Sequence, residues 1–316
     1  MKLATFVNSH GRPTIGVVDV GRDAILDLTE AARATGADDS DFKDMLALID
    51  AGPAGLDKAR ALAAQSPQGA ARPLKGTRLL APLPEPRQMR DCLVFEEHLR
   101  NARAQGAKRL GREPPPIPQV WYEQPIYYKC NRFSVVGREA DVIWPSYSNY
   151  MDYECEMACV LGKTGKDIKS EAAMEHIFGF TIFNDFSARD AQHKEMDGRL
   201  GPAKGKDFDS GNVLGPWIVT RDEIGDPHTL RMEARVNGER WGGGNSSAMH
   251  HKFPAILAFI SQSETLHAGE VIGSGTVGTG CALELGRQLK SGDVVELEIE
   301  SIGVLRNRVL HPSAKG

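Results

Sequence analysis

The chain has 316 residues, a formal net charge of −4, 41% hydrophobic and 25% charged residues, which is ordinary for a soluble globular protein of one large domain, or a large one plus a small one. Lysines and arginines are spread along the sequence, which argues against nucleic acid or an anionic membrane as main partner. No apolar run approaches the roughly 20 residues that span a bilayer, and the start lacks a signal peptide's long apolar core, so a cytosolic location is expected.

Residues 1–30 alternate apolar and polar positions between Gly11-Arg-Pro and Gly21-Arg-Asp turns, the pattern of a small antiparallel meander. Residues 28–64 turn helical, and a Ser/Pro/Gly/Ala-rich link follows at 66–76. Prolines then punctuate 77–86, which excludes a helix or a central strand. A boundary is expected here, dividing a small N-terminal α+β domain (1–80) from a catalytic domain (81–316). Residues 89–105 read as a strand end running into a helix, and the proline-rich stretch after Arg112 as a loop. From Val120 the chain is expected to be β, through Trp121–Lys129, Phe133–Gly137, Asp141–Pro145 and Tyr153–Leu161. A short helix at Ser170–Ile177 precedes a strand at Phe178–Asn184. Further strands are expected at 217–220, 230–239 and 294–300, with a hairpin turn at Asn237-Gly238 and a helix at Phe253–Ser261. Gly242-Gly-Gly-Asn-Ser-Ser reads as a flexible loop. Strands dominate after residue 120, so the fold class is mixed, β-rich α+β rather than alternating βαβ. The five cysteines, Cys92, Cys130, Cys155, Cys159 and Cys281, are odd in number and are expected to be reduced and mostly buried.

The chemistry concentrates in residues 152–209. Glu154 and Glu156 stand two apart on an expected strand, so their carboxylates share a face. Asp185 ends another strand and can reach the same point. Three carboxylates without paired His or Cys suit a hard cation: Mg²⁺, Mn²⁺ or Ca²⁺. Spacing alone is weak, because Glu296, Glu298 and Glu300 alternate in the same way on what reads as the wet face of a surface strand. Arg189, Gln192 and Lys206 are unusual company for a surface face and tip the balance toward a site. The neighbours His250 and His251 point opposite ways on a strand, which disfavours a shared metal.

An ordered series of motifs carries a resemblance. Asp-Tyr-Glu-x-Glu (152–156) is followed by Val-Leu-Gly-Lys (160–163), Asn-Asp-x-Ser-Ala-Arg-Asp-x-Gln (184–192) and Gly-Lys-x-Phe-Asp (205–209). Then come Val-Asn-Gly-Glu (236–239), Gly-Thr (275–276) and Leu-Lys-Ser-Gly-Asp-Val-Val-Glu-Leu-Glu-Ile-Glu (289–300). Over most of residues 85–310 the chain resembles the fumarylacetoacetate hydrolase superfamily.

The resemblance implies a β-roll catalytic domain, a homodimer, and Mg²⁺ (or Mn²⁺ or Ca²⁺) held by Glu154, Glu156 and Asp185. It implies a small-molecule 2-oxo or diketo acid substrate, with cleavage of a C–C bond in a 1,3-diketo acid through a metal-stabilised enolate as the leading activity. Decarboxylation or tautomerisation of a 2-oxo diacid on the same site is the alternative, and a non-catalytic member of the family the third. Lys206 would add positive charge to a developing oxyanion. Arg189 and Gln192 would bind polar groups of the substrate, or Arg189 would pair with Asp152, Asp185 or Asp190. Lys129 and Thr276 match substrate-side positions, although Lys129 also suits a solvent-facing strand position. His98, seven residues after Asp91, resembles the family's catalytic histidine, and Asp91 is either a fourth metal carboxylate or an organiser of the turn. The usual glutamate partner of that histidine is missing: position 101 is Asn, and the loop 277–282 offers Cys281 where a Glu is expected.

Overall fold

The structure is a computed structural model that describes residues 1–312 apart from residue 110. The meander forms as expected, with strands Lys2–Val7, Pro13–Asp19 and Ala24–Asp27. Asp27 caps the following helix Leu28–Thr35 by accepting from the Glu30 amide, and Gly36 closes it in the left-handed conformation. Helices Met45–Asp50 and Gly52–Gln65 complete the helical stretch. The meander is not a separate sheet. Lys2 and Leu3 pair with Val219 and Ile218, so an 11-stranded sheet runs across the expected boundary from Ala71–Pro73 at one edge to Tyr127–Lys129 at the other.

The centre of that sheet is made of Asn212–Thr220, Ile177–Asp185, Cys155–Leu161, Val271–Gly273 and Met89–Cys92, in that spatial order. One face packs on a five-stranded sheet through Cys155, Met157, Phe180 and Ile182 against Ala234, Leu297 and Ile299. The other face carries Ala158, Val160 and Phe178 against the N-terminal helices with Phe42, Leu48 and Ile49. This second face continues into the polar cluster described below, because alternation along a strand is strict.

Three expectations need correction. Gln119–Glu123 is a helix, not a strand; Pro118 precedes it, and Trp121 is buried with its indole nitrogen donating to the Leu93 carbonyl at 2.6 Å. The glycine run is not a loop: Glu239–Asn245 is a strand paired with Arg231–Val236. Its glycines let the backbone of 279 approach, since a Cβ on Gly242 would stand 2.0 Å from the Thr279 carbonyl oxygen. The link 66–76 contains the edge strand Ala71–Pro73. His250 and His251 meet edge to face with ring centroids 4.6 Å apart and contact the backbone carbonyls of Tyr122 and Trp121. All five cysteines are free and buried. Among the described residues no helix is long and apolar enough to cross a membrane.

Candidate active site

Strand register assembles the cluster. Glu156 stands opposite Phe183 and Cys155 opposite Asn184, so Glu154, Glu156 and Asp185 share a face. Ala158 pairs with Gly273, Gly273 with Asp91, and Asp91 with Tyr128. Across five neighbouring strands this register places Asp185, Glu156, Asp91 and Tyr128 on one side of the sheet. Gly273 is the gap between them: a Cβ there would lie 2.4 Å from Asp91 Oδ1 and 3.1 Å from Glu156 Oε2.

Ligand-capable oxygens of Asp91, Glu156 and Asp185 all lie within 4.8 Å of one another, and the three residues are buried. The Gly275 amide donates to both Asp91 Oδ1 and Glu156 Oε2 at 3.1 Å, and the Thr276 hydroxyl contacts Glu156 Oε1 at 3.4 Å. Asp91 and Glu156 thus face each other across a shared amide donor. Like charges this close disfavour ionisation of both, which marks a place deficient in positive charge. Burial pushes Asp91 up to about 6 and Asp185 up to about 7, both against the pull of Lys206. Burial and Asp91 together raise Glu156 well above the carboxylate range. Asp185 Oδ1 is buried and has no hydrogen-bond partner. An all-oxygen donor set with an orphaned buried oxygen fits a hard divalent cation.

Glu154 lies on the other side of the cluster. Lys206 donates to Glu154 Oε2 at 2.5 Å and also to Asp185. The Arg189 guanidinium reaches Glu154 Oε1 at 2.7 Å, Asp152 Oδ2 at 2.8 Å and Gln192 Oε1 at 3.0 Å. Burial works against the charge on Glu154, but Arg189 and Lys206 overcome it and hold its carboxyl well below the ordinary range. With Nε, Nη1 and Nη2 all engaged and the residue buried, Arg189 makes one of the pairings expected for it, the one with Asp152. Gln192, expected beside it, sits on the same helix, Arg189–Asp197.

The missing glutamate is Glu284. His98 Nδ1 stands 2.8 Å from Glu284 Oε1, and His98 Nε2 lies 3.9 Å from Glu154 Oε1. Glu284 Oε2 is fixed by the Thr279 amide at 2.8 Å and the Asn101 side-chain amide at 3.0 Å. Position 101 therefore does contribute, as a donor that orients the glutamate instead of as the glutamate itself. Burial pulls the His98 pKa down, but Glu284 and Glu154 together outweigh it, and the net shift is upward. Asp152 organises the loop: its carboxylate accepts from the amides of Ala282 and Leu283 while also holding Arg189.

Lys129 does not join the cluster. It faces away from Tyr128 on the edge strand, is 55% exposed at its side chain and lies 3.5 Å from Glu264. The residue beside it takes the place on the site face, with Tyr128 Oη donating to Asp185 Oδ2 at 2.5 Å. Strand alternation is the signal that separates the two. Glu284 has a signal as well: it is the sole acidic residue between Glu270 and Asp293, two positions beyond the loop where a glutamate is expected.

Residues 89–310 match the family described as fumarylacetoacetate (FAA) hydrolase C-terminal. The chain belongs to the fumarylacetoacetate hydrolase family. Among its relatives is the human protein named oxaloacetate tautomerase FAHD2A, mitochondrial, 37% identical over 270 residues, covering 85% of this chain and 80% of the relative. Fumarylacetoacetate hydrolase from Exiguobacterium antarcticum superimposes with a TM-score of 0.75 at 29% identity, over 98% of this chain and 99% of that one. Maleylpyruvate hydrolase from Sphingobium sp. SYK-6 does so with a TM-score of 0.74 at 25% identity, over 98% of this chain and all of that one.

Proposed function

We propose that this enzyme is a divalent-metal-dependent keto–enol tautomerase of an oxaloacetate-type 2-oxo diacid. The observation that carries the reading is the buried His98–Glu284 pair, whose free Nε2 lies 3.9 Å from Glu154 at the border of the carboxylate cluster. Tautomerisation requires one proton to leave carbon 3 and another to reach the 2-oxo oxygen, with no bond broken to water. In neutral His98, Nδ1–H donates to Glu284, which leaves the Nε2 lone pair free to take the carbon-bound proton. The Glu284 carboxylate stabilises the imidazolium that results. Lys206, held by Glu154 and Asp185, supplies fixed positive charge beside the oxygen on which negative charge grows. Asp91, Glu156 and Asp185, with Glu154 across the cluster, would hold Mg²⁺ or Mn²⁺, which when bound polarises the 2-oxo group as a Lewis acid. The 37% identity to a named oxaloacetate tautomerase supports the choice of substrate class.

The C–C hydrolase expected from the motifs becomes the second reading. The same dyad supports it, since His98 backed by Glu284 can equally take a proton from water, and the likeness to maleylpyruvate hydrolase favours it. One assay separates the readings. Enol-rich oxaloacetate and a panel of acylpyruvates are mixed with the enzyme and Mg²⁺ or Mn²⁺, with and without chelator, following loss of enol absorbance, pyruvate and CO₂. Cation-dependent loss of enol absorbance without CO₂ is the expected result. Pyruvate release from acylpyruvates with uncatalysed ketonisation would replace the first reading by the second.

A further inference from the structure

The described residues hold a second cluster of ligating groups, next to the carboxylates but of different chemistry. His98 Nδ1, Cys281 Sγ and Glu284 Oε1 form a triangle of edges 2.8 Å (His98–Glu284), 3.4 Å (Cys281–Glu284) and 4.0 Å (Cys281–His98). All three residues are buried. Nitrogen, oxygen and sulfur ligands at about 2.0–2.3 Å from a tetrahedral zinc stand roughly 3.3–3.6 Å apart, which lies inside the range of the observed edges.

Each corner is fixed independently of the others. His98 rides on the helix Glu96–Arg109. Cys281 is held by a backbone bridge to Glu154. Glu284 has its second oxygen engaged by Thr279 and Asn101, which leaves Oε1 turned to the triangle. Three protein ligands and an open fourth position for water is a common zinc arrangement. The donor sets of the two clusters differ: Asp91, Glu156 and Asp185 offer oxygen alone, whereas this one offers thiolate, imidazole and carboxylate. The first prefers Mg²⁺, Mn²⁺ or Ca²⁺ and the second Zn²⁺ or Co²⁺.

We propose that His98, Cys281 and Glu284 form a capture site for a zinc-like divalent cation, and that filling it silences the enzyme by removing the His98–Glu284 pair from proton transfer. Binding displaces the thiol proton of Cys281 to solvent and moves the ring proton of neutral His98 from Nδ1 to Nε2. One proton leaves as one doubly charged cation enters, Nε2 is no longer available as a base, and no electron moves. Capture rests on geometry alone; the silencing rests on the dyad's role in the proposed reaction.

The experiment uses the full chain saturated with Mg²⁺, titrated with Co²⁺ as a visible substitute for zinc. One equivalent of Co²⁺ is expected to give a near-ultraviolet thiolate-to-cobalt charge-transfer band, bleached by added Zn²⁺, present in Cys159→Ser and lost in Cys281→Ser. Glu284→Gln, which keeps the thiol, is expected to weaken Co²⁺ binding and serves if Cys281→Ser does not fold. In parallel, Zn²⁺ inhibition of oxaloacetate ketonisation at excess Mg²⁺ is measured. Loss of an outer partner costs a metal site about 10-fold or more, so Cys281→Ser, which loses a ligand, is expected to shift half-inhibition by at least that factor. Absence of the band in the native chain, or its persistence in Cys281→Ser, overturns the capture site. A full band with undiminished turnover overturns the silencing and also removes the dyad from the proposed reaction. Zn²⁺ inhibition that more Mg²⁺ relieves equally in both proteins places zinc at the carboxylates and overturns the proposal.

Discussion

Glu154 and Glu156 share their spacing with Glu296 and Glu298, yet the two pairs live in opposite electrostatic settings. On the outer sheet, Arg235 donates to Glu298 at 2.7 Å and lies 3.6 Å from Glu296, with Arg306 at 3.7 Å from Glu296. Those glutamates are 31% and 24% exposed at their side chains, so solvent screens what the arginines leave. In the inner pair, Lys206 and Arg189 both stand on the Glu154 side. Among the described residues Glu156 has no cation partner; it has the Gly275 amide, the Thr276 hydroxyl and another carboxylate. A Glu-x-Glu pair thus fixes which face the carboxylates share. What the neighbouring strands bring to that face decides whether they are a wet surface or a cation site.

The largest expected difference comes from removing a cation on each side. Lys206→Met leaves Glu154 and Asp185 facing each other, and turnover is expected to fall at least about 10²–10³-fold. Breaking a buried pair of this kind also costs roughly 3–5 kcal/mol in the metal-free protein, read by denaturant unfolding. Arg235→Met on the outer sheet is expected to cost below about 1 kcal/mol and to leave turnover unchanged. Equal losses in the two variants would erase the distinction between the regions.

Next come the dyad variants. His98→Gln is expected to lower kcat by about 10²–10⁴-fold. Glu284→Gln removes the group that raises the His98 pKa, so the pH at which His98 gives up its proton moves downward and the acid limb of the pH–rate profile moves with it. Because the folded pKa is raised, the pair's stabilisation is complete below the unfolded value of about 6.5 and is lost as pH rises through the folded one. The stability gap between the native chain and Glu284→Gln is therefore larger at pH 5 than at pH 9. An unmoved acid limb would detach Glu284 from His98.

A smaller effect tests the carboxylates without mutation. Asp91 and Asp185 titrate near 6 and 7 when no cation is bound, both above their ordinary 3.8. Between those values the folded state binds more protons than the unfolded one, so the metal-free Tm falls as pH rises from about 4 to 7. Saturating Mn²⁺ is expected to flatten that fall. A metal-free Tm that climbs over the same range would mean the carboxylates are already neutralised by the protein.

The smallest effects separate two neighbours. Tyr128→Phe deletes the bond to Asp185 and is expected to cost about 1 kcal/mol in kcat/KM. Lys129→Ala, on the opposite face, is expected to stay within about 0.5 kcal/mol in stability and to leave KM unchanged.

These neighbours also mark what could be read in the sequence. The meander, the Asn237-Gly238 hairpin and the placing of Glu154, Glu156 and Asp185 on one face follow from period and turn chemistry, and the structure has them. Register across several strands does not follow from one strand's pattern. Asp91 and Tyr128 enter the site because Val271–Gly273 pairs with Met89–Cys92 and that strand with Tyr127–Lys129. Glu284 enters because Asp152 holds the amides of Ala282 and Leu283, a contact 130 residues apart in the chain. The helix Gln119–Glu123 and the strand through Gly242 depart from the sequence pattern for a related reason. In each, a tertiary contact, the Trp121 indole on Leu93 or the close approach of Thr279, overrides local preference.

The central claim is that the inner carboxylates are short of one divalent cation. Calorimetric titration of chelator-treated protein with Mn²⁺ at pH 7 tests it most directly, beside Glu156→Gln. Binding at the carboxylates with release of protons, greatly weakened in Glu156→Gln, is the predicted result. Mn²⁺ binding of equal strength in both proteins, or none in the native chain, would contradict it.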